Sequence, residues 1–484
     1  MNRREFIKNA GIGAVSLPMA GCSLSFAGSK GLKRRKPNLL FIWTDEQRAD
    51  TMAAYGNTKI HTPNLNRLAS ASFVFKRAYI TQPVCSPSRA SVMTGLWPHT
   101  LGIVENNIPL TSRTQCLPEM IDSPEYQTGY MGKWHLGDEI FSQHGFNEWV
   151  SIEDGYYKYY SSPDKKQARS DYYHFLVSRG HKPDTRAFSR KYAASLPFAE
   201  SKPKFLETKA CDFLRRHREE PFILYINFLE PHMPFTGPFN NEHDPGDVDL
   251  PENFDDPLEE NEPLVYRKRR KQMMRKYGPD EKSYRELISR YWGLVTEVDT
   301  AVGRIYRTLE ELGLADNTIV VYTSDHGDMM GSHRLVEKCV MYEEAVKVPL
   351  LLRVPWMSKQ QNMIEEPVSH IDLVPTLLEL MKCQKPRHLQ GRSLLPLMKG
   401  GKAAEDHVFI EWPTIRTVVS PDGWKLSLFT DDKCQLFNLT KDPGETTNLY
   451  DSGKYEDVIR RLTKKINDWQ KKNKDTVELK PLRV

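Results

Sequence analysis

The sequence predicts an α/β protein built on a large, mostly parallel central sheet flanked by helices. Helical patterns alternate with strand-like runs; one covers residues 62–70 and opens with Thr62-Pro63, and a long amphipathic one covers residues 286–312. The strand-like runs are continuous, apolar and β-branched, as in strands buried on both faces of a parallel sheet. They are residues 38–44, 221–228, 318–323 and 348–354.

The pattern changes after about residue 375, and a smaller antiparallel α+β subdomain is predicted there. A polar helix covers residues 455–472, behind several short alternating runs typical of antiparallel strands. These runs are residues 408–411, 416–419, 424–428 and 435–438. We therefore expect a main domain over residues 36–380 and a C-terminal subdomain over residues 381–484.

Two polar segments, residues 154–204 and 240–280, read as surface insertions. Loops of this kind in an α/β fold shape the pocket in which a ligand binds. The second segment carries five consecutive basic residues, 267–271. A solvated helix face is the commoner role for such a run, and contact with a polyanion is the alternative.

Composition excludes several classes of protein. The 484 residues carry 68 basic and 63 acidic side chains, a net charge of +5, which does not mark a nucleic-acid-binding protein but suits an anionic substrate. No run of eighteen apolar residues follows the first thirty positions, so no transmembrane segment is expected. The seven scattered cysteines form neither a disulfide framework nor a zinc motif, although one or two disulfides stay open.

The first thirty residues have the order of an export signal. Arg3 and Arg4 open a charged stretch of the twin-arginine kind, and a weakly apolar stretch follows over residues 10–20. Residues 19–22 resemble a bacterial lipobox, which would make Cys22 a lipid anchor. We expect residues 1–30 to be a signal peptide of an exported protein, periplasmic or membrane-anchored in a bacterium; a disordered N-terminus is the alternative.

Charged side chains follow three of the predicted strands. Strand 38–44 runs into Asp45-Glu46, strand 221–228 reaches His232, and strand 318–323 runs into Asp325-His326. In open α/β sheets ligands bind outside the carboxyl ends of the strands, so these clusters are expected to converge. Carboxylate oxygens with one imidazole and no thiolate favour Ca²⁺ or Mg²⁺ over zinc. Asp45, Glu46, Asp325 and His326 are therefore the predicted metal ligands.

The stretch of residues 83–95, PVCSPSRASVMTG, contains the most specific pattern. Ser86-Pro87 suits an N-cap followed by the first helical residue. Cys85 would then lie just before a helix N-terminus, which is an anion site, with Arg89 one turn away. These residues alone are compatible with an activated thiolate, an anion-binding turn or a buried structural cysteine.

This stretch resembles the signature of the type I sulfatases, in the alkaline-phosphatase-like superfamily. Cys85-x-Pro87-Ser88-Arg89, followed by Thr-Gly at positions 94 and 95, matches each of its fixed positions. The resemblance extends from residue 38 to about 449. It includes residues 132–137 (GKWHLG), 231–235 (PHMPF), 324–328 (SDHGD) and 342–344 (YEE), with 436–439 (LFNL) and 442–445 (DPGE) in the predicted subdomain.

The resemblance implies a role for each matched residue. Cys85, oxidised to formylglycine (3-oxoalanine) and hydrated, would be the nucleophile. One Ca²⁺ per chain, preferred over Mg²⁺, would bind the four metal ligands named above. Two of these depart from the commonest pattern, since Glu46 stands where many members have Asp and His326 where many have Asn. The remaining roles are Arg89 holding the nucleophile, Lys133 and His135 contacting the gem-diol, and His232 and Lys338 contacting the substrate sulfate.

The implied function is hydrolysis of sulfate esters, most naturally on a sulfated saccharide, with His232 protonating the leaving alcohol. The implied partner is a formylglycine-generating or anaerobic sulfatase-maturating enzyme, and nucleic acid is not an expected partner. His333 is a weaker candidate for substrate contact, with a surface position the favoured alternative. Two other functions stay open: a phosphate or phosphonate ester hydrolase of the same superfamily, and a non-catalytic binder of sulfated polysaccharide.

Overall fold

The computed structural model describes residues 36–183, 185–256, 261–402 and 406–479. The predicted export signal over residues 1–30, with Cys22, lies outside the described residues. Among the described residues, none of the helices has the length and apolar character needed to cross a membrane.

A central sheet of eight strands organises the main body. Its strands are β1 (Asn38–Asp45), β2 (Phe73–Phe75), β4 (Gln127–Gly132), β5 (Glu148–Val150), β6 (Phe222–Pro231), β7 (Thr318–Ser324), β9 (Leu350–Arg353) and β10 (Asn362–Ile364). Their order across the sheet is β10-β2-β9-β7-β1-β6-β4-β5. A separate small sheet joins β3 (Ala78–Tyr79), β8 (Lys347–Val348) and β11 (Val368–Ser369).

The middle of the central sheet is parallel, as predicted. β1 pairs in parallel with both β6 and β7, and β4 pairs in parallel with β6 and β5. The carboxyl ends of β1, β6 and β7 therefore meet at one edge of the sheet, which is where Asp45, His232 and Asp325 lie.

The prediction of a fourth continuous parallel strand over residues 348–354 is wrong. The run is divided into β8 and β9 at Pro349, which has no backbone N–H to donate. β9 pairs antiparallel with both β7 and β2. A continuous apolar run reports burial on both faces of a sheet, and β9 has that burial, but it does not report strand direction.

Helices cover both faces of the sheet. Alternate residues of β1 enter two different cores: Phe41 packs in the core that contains Leu377, and Leu40 packs in the core that contains Val302. The helices are α1 (Pro63–Ala69), α2 (Cys85–Thr94), α3 (Pro98–Leu101), α4 (Leu117–Ile121), α5 (Asp171–Ser178), α6 (Arg190–Ala194), α7 (Lys202–Arg216), α8 (Leu264–Tyr277), α9 (Glu281–Glu311), α10 (Glu343–Val346), α11 (Leu373–Leu380), α12 (Leu395–Met398) and α13 (Glu456–Asn473).

The C-terminal part folds as predicted into an antiparallel sheet with one long helix. Its strands are β12 (Val408–Trp412), β13 (Ile415–Val419), β14 (Trp424–Phe429) and β15 (Gln435–Asn438), paired in chain order. Leu462, Ile466 and Trp469 of α13 pack in the core of this sheet. The same core contains Tyr342 and Ala345, so the C-terminal sheet is packed against the segment that precedes β8.

Candidate active site

The helix α2 presents Cys85 at its first turn. The helix begins at Cys85 after an extended Val84 (φ −158°, ψ 150°), so the predicted start, with Ser86 as N-cap and Pro87 as first helical residue, is two residues too late. Pro87 is tolerated inside the first turn because no backbone N–H is needed there. The Ser86 hydroxyl instead donates to the His135 carbonyl at 2.7 Å. Cys85 therefore lies at the positive end of the helix.

Cys85 is buried, with 2% of its surface exposed, at the centre of a charged cluster. Its Sγ is 3.3 Å from His326 Nε2, 3.8 Å from Asp45 Oδ1 and 3.9 Å from Lys133 Nζ. Burial and the Asp45 carboxylate raise the pKa of the Cys85 thiol to about 11, against the opposing charge of Lys133. The unmodified side chain is thus a protonated thiol, and the activated-thiolate interpretation finds no support.

Arg89 joins α2 to the carboxyl edge of the sheet. Its Nε donates to Asp325 Oδ2 at 2.8 Å and its Nη2 to Asp45 Oδ2 at 3.0 Å. Its Nη1 donates to Asn227 Oδ1 and to the Lys133 carbonyl, both at 2.8 Å. Because all five donors of a guanidinium are fixed in one plane, this set of acceptors determines where α2 and Cys85 lie.

Asp45 is the anion shared by this cluster. It is fully buried and accepts from Lys133 Nζ as well as from Arg89. Burial favours the neutral acid, but the charges of Lys133, His232 and Arg89 hold the pKa of Asp45 well below its usual range. Asp45 is therefore a carboxylate, because the two side chains that donate to its Oδ2, Arg89 and Lys133, are cations.

Three of the four predicted metal ligands lie around Cys85. Ligand atoms of Asp45, Asp325, His326 and Cys85 lie within 4.8 Å of one another. The ring Nδ1 of His326 is 2.9 Å from the Gly327 carbonyl, which only accepts, so Nδ1 carries the proton and Nε2 offers a lone pair toward Cys85. Two carboxylates and one imidazole form a donor set that fits a hard divalent cation.

Glu46 lies beside this set but faces the other way. Its Oε2 accepts from Lys338 Nζ at 2.8 Å and is 3.4 Å from His232 Nε2, and it forms a second group with Asp45 and His232. Its Oε1 is buried without a hydrogen-bond partner among the described residues. Burial, with help from Asp328 and against Lys338, raises the pKa of Glu46 to about 8. Glu46 is thus an acid beside Asp45 whose Oε2 is already held between Lys338 and His232.

His135 lies over the cluster with one nitrogen free. Its Nε2 is 3.0 Å from Asn107 Oδ1, an acceptor, so the proton is on Nε2. Its Nδ1 is buried without a partner among the described residues. Burial and the charges of Lys133 and Arg89 hold the pKa of His135 well below its usual range. A neutral imidazole with a free lone pair can accept a proton.

His232 and Lys338 close the opposite side of the site. The ring Nδ1 of His232 is 2.9 Å from the Met233 carbonyl, which leaves Nε2 beside Glu46 Oε2. Burial and the charge of Lys338 hold the pKa of His232 well below its usual range. The structure thus brings together all ten residues proposed from the sequence: Asp45, Glu46, Cys85, Arg89, Lys133, His135, His232, Asp325, His326 and Lys338.

Two residues of the site come from the 154–204 insertion and were not singled out in the sequence. The Tyr156 ring packs on the His135 ring, with 4.3 Å between centroids. Its hydroxyl accepts from Arg190 Nη2 at 2.8 Å, and Arg190 also binds Glu153. The insertion was expected to shape the pocket, but nothing in its local pattern separates Tyr156 from its neighbours.

The sequence favoured a surface position for His333, and this prediction is wrong. The residue is fully buried, its ring stacks on Tyr342 with 3.9 Å between centroids, and its Nδ1 pairs with Asp256. These contacts give it a packing role. None of the six described cysteines forms a disulfide, so the disulfide left open by the sequence is absent among them.

An α/β sheet whose carboxyl edge surrounds a helix-terminal cysteine with cations and carboxylates defines a hydrolase of anionic esters. A family model of sulfatases matches residues 37–383, and a model of the C-terminal part of N-sulphoglucosamine sulphohydrolase matches residues 331–472. The chain belongs to the sulfatase family and is a sulfuric ester hydrolase with an alkaline-phosphatase-like fold.

Individual relatives agree with this family. The chain is 30% identical over 461 residues to an uncharacterized sulfatase, YidJ, of Escherichia coli, with 91% of this chain and 88% of the relative covered. It is 27% identical to an N-acetylglucosamine-6-O-sulfatase of Bacteroides thetaiotaomicron, with 95% and 91% covered. A phosphonate monoester hydrolase of Agrobacterium radiobacter has a similar fold, with TM-score 0.74, 23% identity, and 90% and 96% covered.

Proposed function

We propose that this enzyme hydrolyses a sulfate ester of a saccharide, using a formylglycine made from Cys85 and a bound Ca²⁺. The observation that carries the proposal is Cys85 itself. It lies within a complete C-x-P-S-R modification motif, at the N-terminus of α2, and its side chain is surrounded by Asp45, Lys133 and His326. The saccharide is supported by the relative named as an N-acetylglucosamine-6-O-sulfatase.

The protonated thiol explains why modification is needed. A hydrated formylglycine would supply one hydroxyl that attacks sulfur and a second that allows sulfate to leave, which a thiol or a serine hydroxyl cannot do. Arg89 and Lys133 would hold this group in place, since Arg89 fixes α2 and Lys133 Nζ already contacts both Asp45 and Cys85 Sγ. Oxidation of Cys85 would require a maturation enzyme, formylglycine-generating or anaerobic, that recognises the motif.

Asp45, Asp325 and His326 would bind the cation, and Glu46, which lies beside Asp45, would be the fourth ligand. When bound, Ca²⁺ would withdraw negative charge from the sulfate oxygens. Ca²⁺ is favoured over Mg²⁺ because Mg²⁺ retains several of its waters, whereas this site is buried and lined by protein ligands.

The chain's own residues would then neutralise charge and move protons. A sulfate group at Cys85 would meet three cations, Lys133, Lys338 and Arg89, which would neutralise its negative charge. His135 would accept a proton at its free Nδ1. His232, at Nε2, would donate to the leaving-group oxygen, because an anionic ester entering beside it favours the protonated imidazole.

Mass spectrometry of the peptide that contains Cys85 tests the proposal directly. Protein co-produced with a maturation enzyme should show a loss of about 18 Da at Cys85, and should release sulfate from sulfated sugars. Protein produced without that enzyme is the control and should show neither. An unmodified Cys85 in the presence of a competent maturation enzyme would contradict the mechanism. Hydrolysis of phosphonate monoesters at a higher rate than sulfate esters would favour the alternative function.

We also propose that the enzyme is exported, to the periplasm or to a membrane where Cys22 carries a lipid. The order of charged, apolar and small residues in positions 1–30 supports this proposal. Fractionation of cells that express the full chain, with a Cys22→Ala variant as control, tests it.

A further inference from the structure

A groove of about 640 Å³ lies between α8 and the hairpin formed by β12 and β13. The helix lines it with one face, because the contributing positions are spaced i, i+3, i+4 and i+7. These residues are Val265, Lys268, Arg269 and Gln272, and the hairpin adds Trp412, Thr414 and Ile415. The basic run of the second insertion therefore does not lie entirely on a solvated face.

The groove lies close to the chain segment that carries the nucleophile. Cys339 lines the groove and directly follows Lys338, the residue that binds Glu46. The backbone N–H of Cys339 donates at 3.1 Å to the carbonyl of Pro83, two residues before Cys85. Burial raises the pKa of the Cys339 thiol, Arg269 opposes the rise, and Cys85 is close enough to add to it. Cys339 therefore connects the lining of the groove with the segment that precedes Cys85.

Arg269 is half-buried in the groove and already ion-paired. Its Nη2 contacts Glu337 Oε2 at 3.4 Å, and the other oxygen of that carboxylate, Oε1, accepts from Lys276 Nζ at 2.7 Å and from the Tyr277 hydroxyl at 3.0 Å. The Arg269 Nε is buried without a hydrogen-bond partner among the described residues. Lys268, one residue away, is exposed on the same side of the groove. Lys268 is thus a cation on the wall of the groove that a ligand can reach.

The opposite wall is suited to a sugar ring. The Trp412 indole is half-buried, and an aromatic face of this kind binds the apolar face of a sugar, while Gln272 and Thr414 offer hydrogen bonds to hydroxyl groups. Two acids, Asp431 and Asp432, also line the groove. The Asp432 oxygens accept from the first backbone N–H groups of α8, at 3.0 and 3.1 Å, so the positive helix end compensates this charge.

We infer that this groove binds the saccharide of the substrate, and that Lys268 contacts a second anionic group, a sulfate or a carboxylate, on the same molecule. The inference rests on the proposed function, because it takes the sulfate at Cys85 as its reference point. It assigns the substrate to the polyanionic saccharides and not to those that carry a single sulfate.

A matched pair of charge reversals tests the groove. Lys268→Glu places a like charge in it, and Lys271→Glu, three residues along α8 and also exposed, changes the same net charge outside it. Binding is measured by titration calorimetry at about 0.15 M salt, where long-range attraction is screened. The full-chain Cys85→Ala protein is used, with hexasaccharides of heparin and of κ-carrageenan as probes.

For at least one probe, Lys268→Glu should weaken binding by about tenfold and Lys271→Glu by less than about twofold. Trp412→Ala should also weaken binding several-fold. Equal losses in the two lysine variants would show non-specific attraction and overturn the inference, as would the absence of binding by both probes.

Turnover separates this inference from the proposed function. If the matured enzyme releases sulfate and the two lysine variants have the same kcat/KM on the hexasaccharide, the groove is not the saccharide site, but the sulfatase mechanism is supported. If no sulfate is released although binding depends on Lys268, the groove is a saccharide site, but the proposed sulfatase mechanism is wrong. Cleavage of p-nitrophenyl sulfate, which has no second anionic group, should be equal in the two variants.

Discussion

Two clusters of buried charge lie in this protein, and they differ in what they leave open. The first surrounds Cys85 at the carboxyl edge of the central sheet and contains Asp45, Arg89 and Lys133, all fully buried. The second lies where the C-terminal sheet meets the main body. There Lys425 Nζ, on β14, pairs with Glu343 at 3.0 Å and with Glu445 at 2.9 Å.

The second cluster is closed on itself. Glu343 also binds Lys347 and the Tyr79 hydroxyl, and Glu445 accepts the backbone N–H of Glu343 at 2.6 Å. In the first cluster, His135 Nδ1 and Glu46 Oε1 are buried without a hydrogen-bond partner among the described residues, whereas Glu445 Oε1 of the second cluster is ion-paired with Lys425 Nζ at 2.9 Å. Buried charge by itself is therefore no mark of catalysis, and the unpaired atoms distinguish the two clusters.

Replacing the nucleophile should give the largest effect. Cys85→Ala in the matured background should lower kcat by at least about a thousandfold, because no other group in the site can form the covalent bond to sulfur. The thermal midpoint should change little, since the thiol makes only weak contacts. Sulfate release and thermal unfolding measure the two quantities. Turnover near that of the wild type in this variant would remove Cys85 from the mechanism.

Removing the shared cation of the second cluster should lower stability and leave kcat unchanged. Lys425→Met leaves Glu343 and Glu445 buried without their shared cation, which should destabilise the fold by about 3–5 kcal/mol. The kcat of the folded enzyme should stay unchanged. Urea unfolding measures the loss, and adding Glu343→Gln with Glu445→Gln should recover part of it. A large fall in kcat without loss of stability would show that the two clusters are coupled.

Metal removal should have an intermediate effect confined to the first cluster. A cation that binds only the folded protein stabilises it by about 3 kcal/mol at a hundred times its Kd. Ca²⁺ added after dialysis against EGTA should therefore raise the thermal midpoint of the wild type and of Lys425→Met alike. Asp325→Asn should remove the response, and Mg²⁺ at equal concentration should give a smaller one. An equal response in Asp325→Asn would place the cation elsewhere.

The sequence predicted the first cluster far better than the second. Asp45, His232 and Asp325 each follow a buried apolar strand, and the carboxyl ends of parallel strands meet at one edge, so local pattern and topology together bring these side chains near one another. The motif around Cys85 added Arg89 by helical spacing. Lys425, Glu343 and Glu445 lie on elements whose mutual packing no local pattern encodes.

The errors have the same cause. The direction of β9 depends on its pairing with β7 and β2, and an apolar run does not specify pairing. The position of Tyr156 over His135 depends on how the insertion returns to the site. The start of α2 at Cys85 depends on the bond from Ser86 to the His135 carbonyl, 49 residues away in the chain. In each case a distant contact decided between local alternatives.

The smallest expected effect concerns His99, which is the second residue of α3 and joins this helix to the C-terminal part. Its Nδ1 is 2.6 Å from Glu411 Oε2 on β12, and its Nε2 is 3.1 Å from the Asn473 carbonyl of α13. Burial disfavours the charged ring, but the hydrogen bond and charge of Glu411 raise the pKa of His99 above its usual value. The protonated ring is thus favoured by folding.

Because the folded pKa is the higher one, His99 contributes its full stability below the unfolded pKa of about 6.5 and loses it as the pH rises through the folded pKa. Compared with His99→Gln, the wild type should be more stable by about 1 kcal/mol or less at pH 6, and the difference should shrink toward pH 9. A difference independent of pH would mean that the ring acts by packing alone. If kcat is unchanged in His99→Gln while the difference in stability depends on pH, His99 belongs with Lys425 among the contacts that attach the C-terminal sheet to the main body. Catalysis would then be confined to the cluster around Cys85.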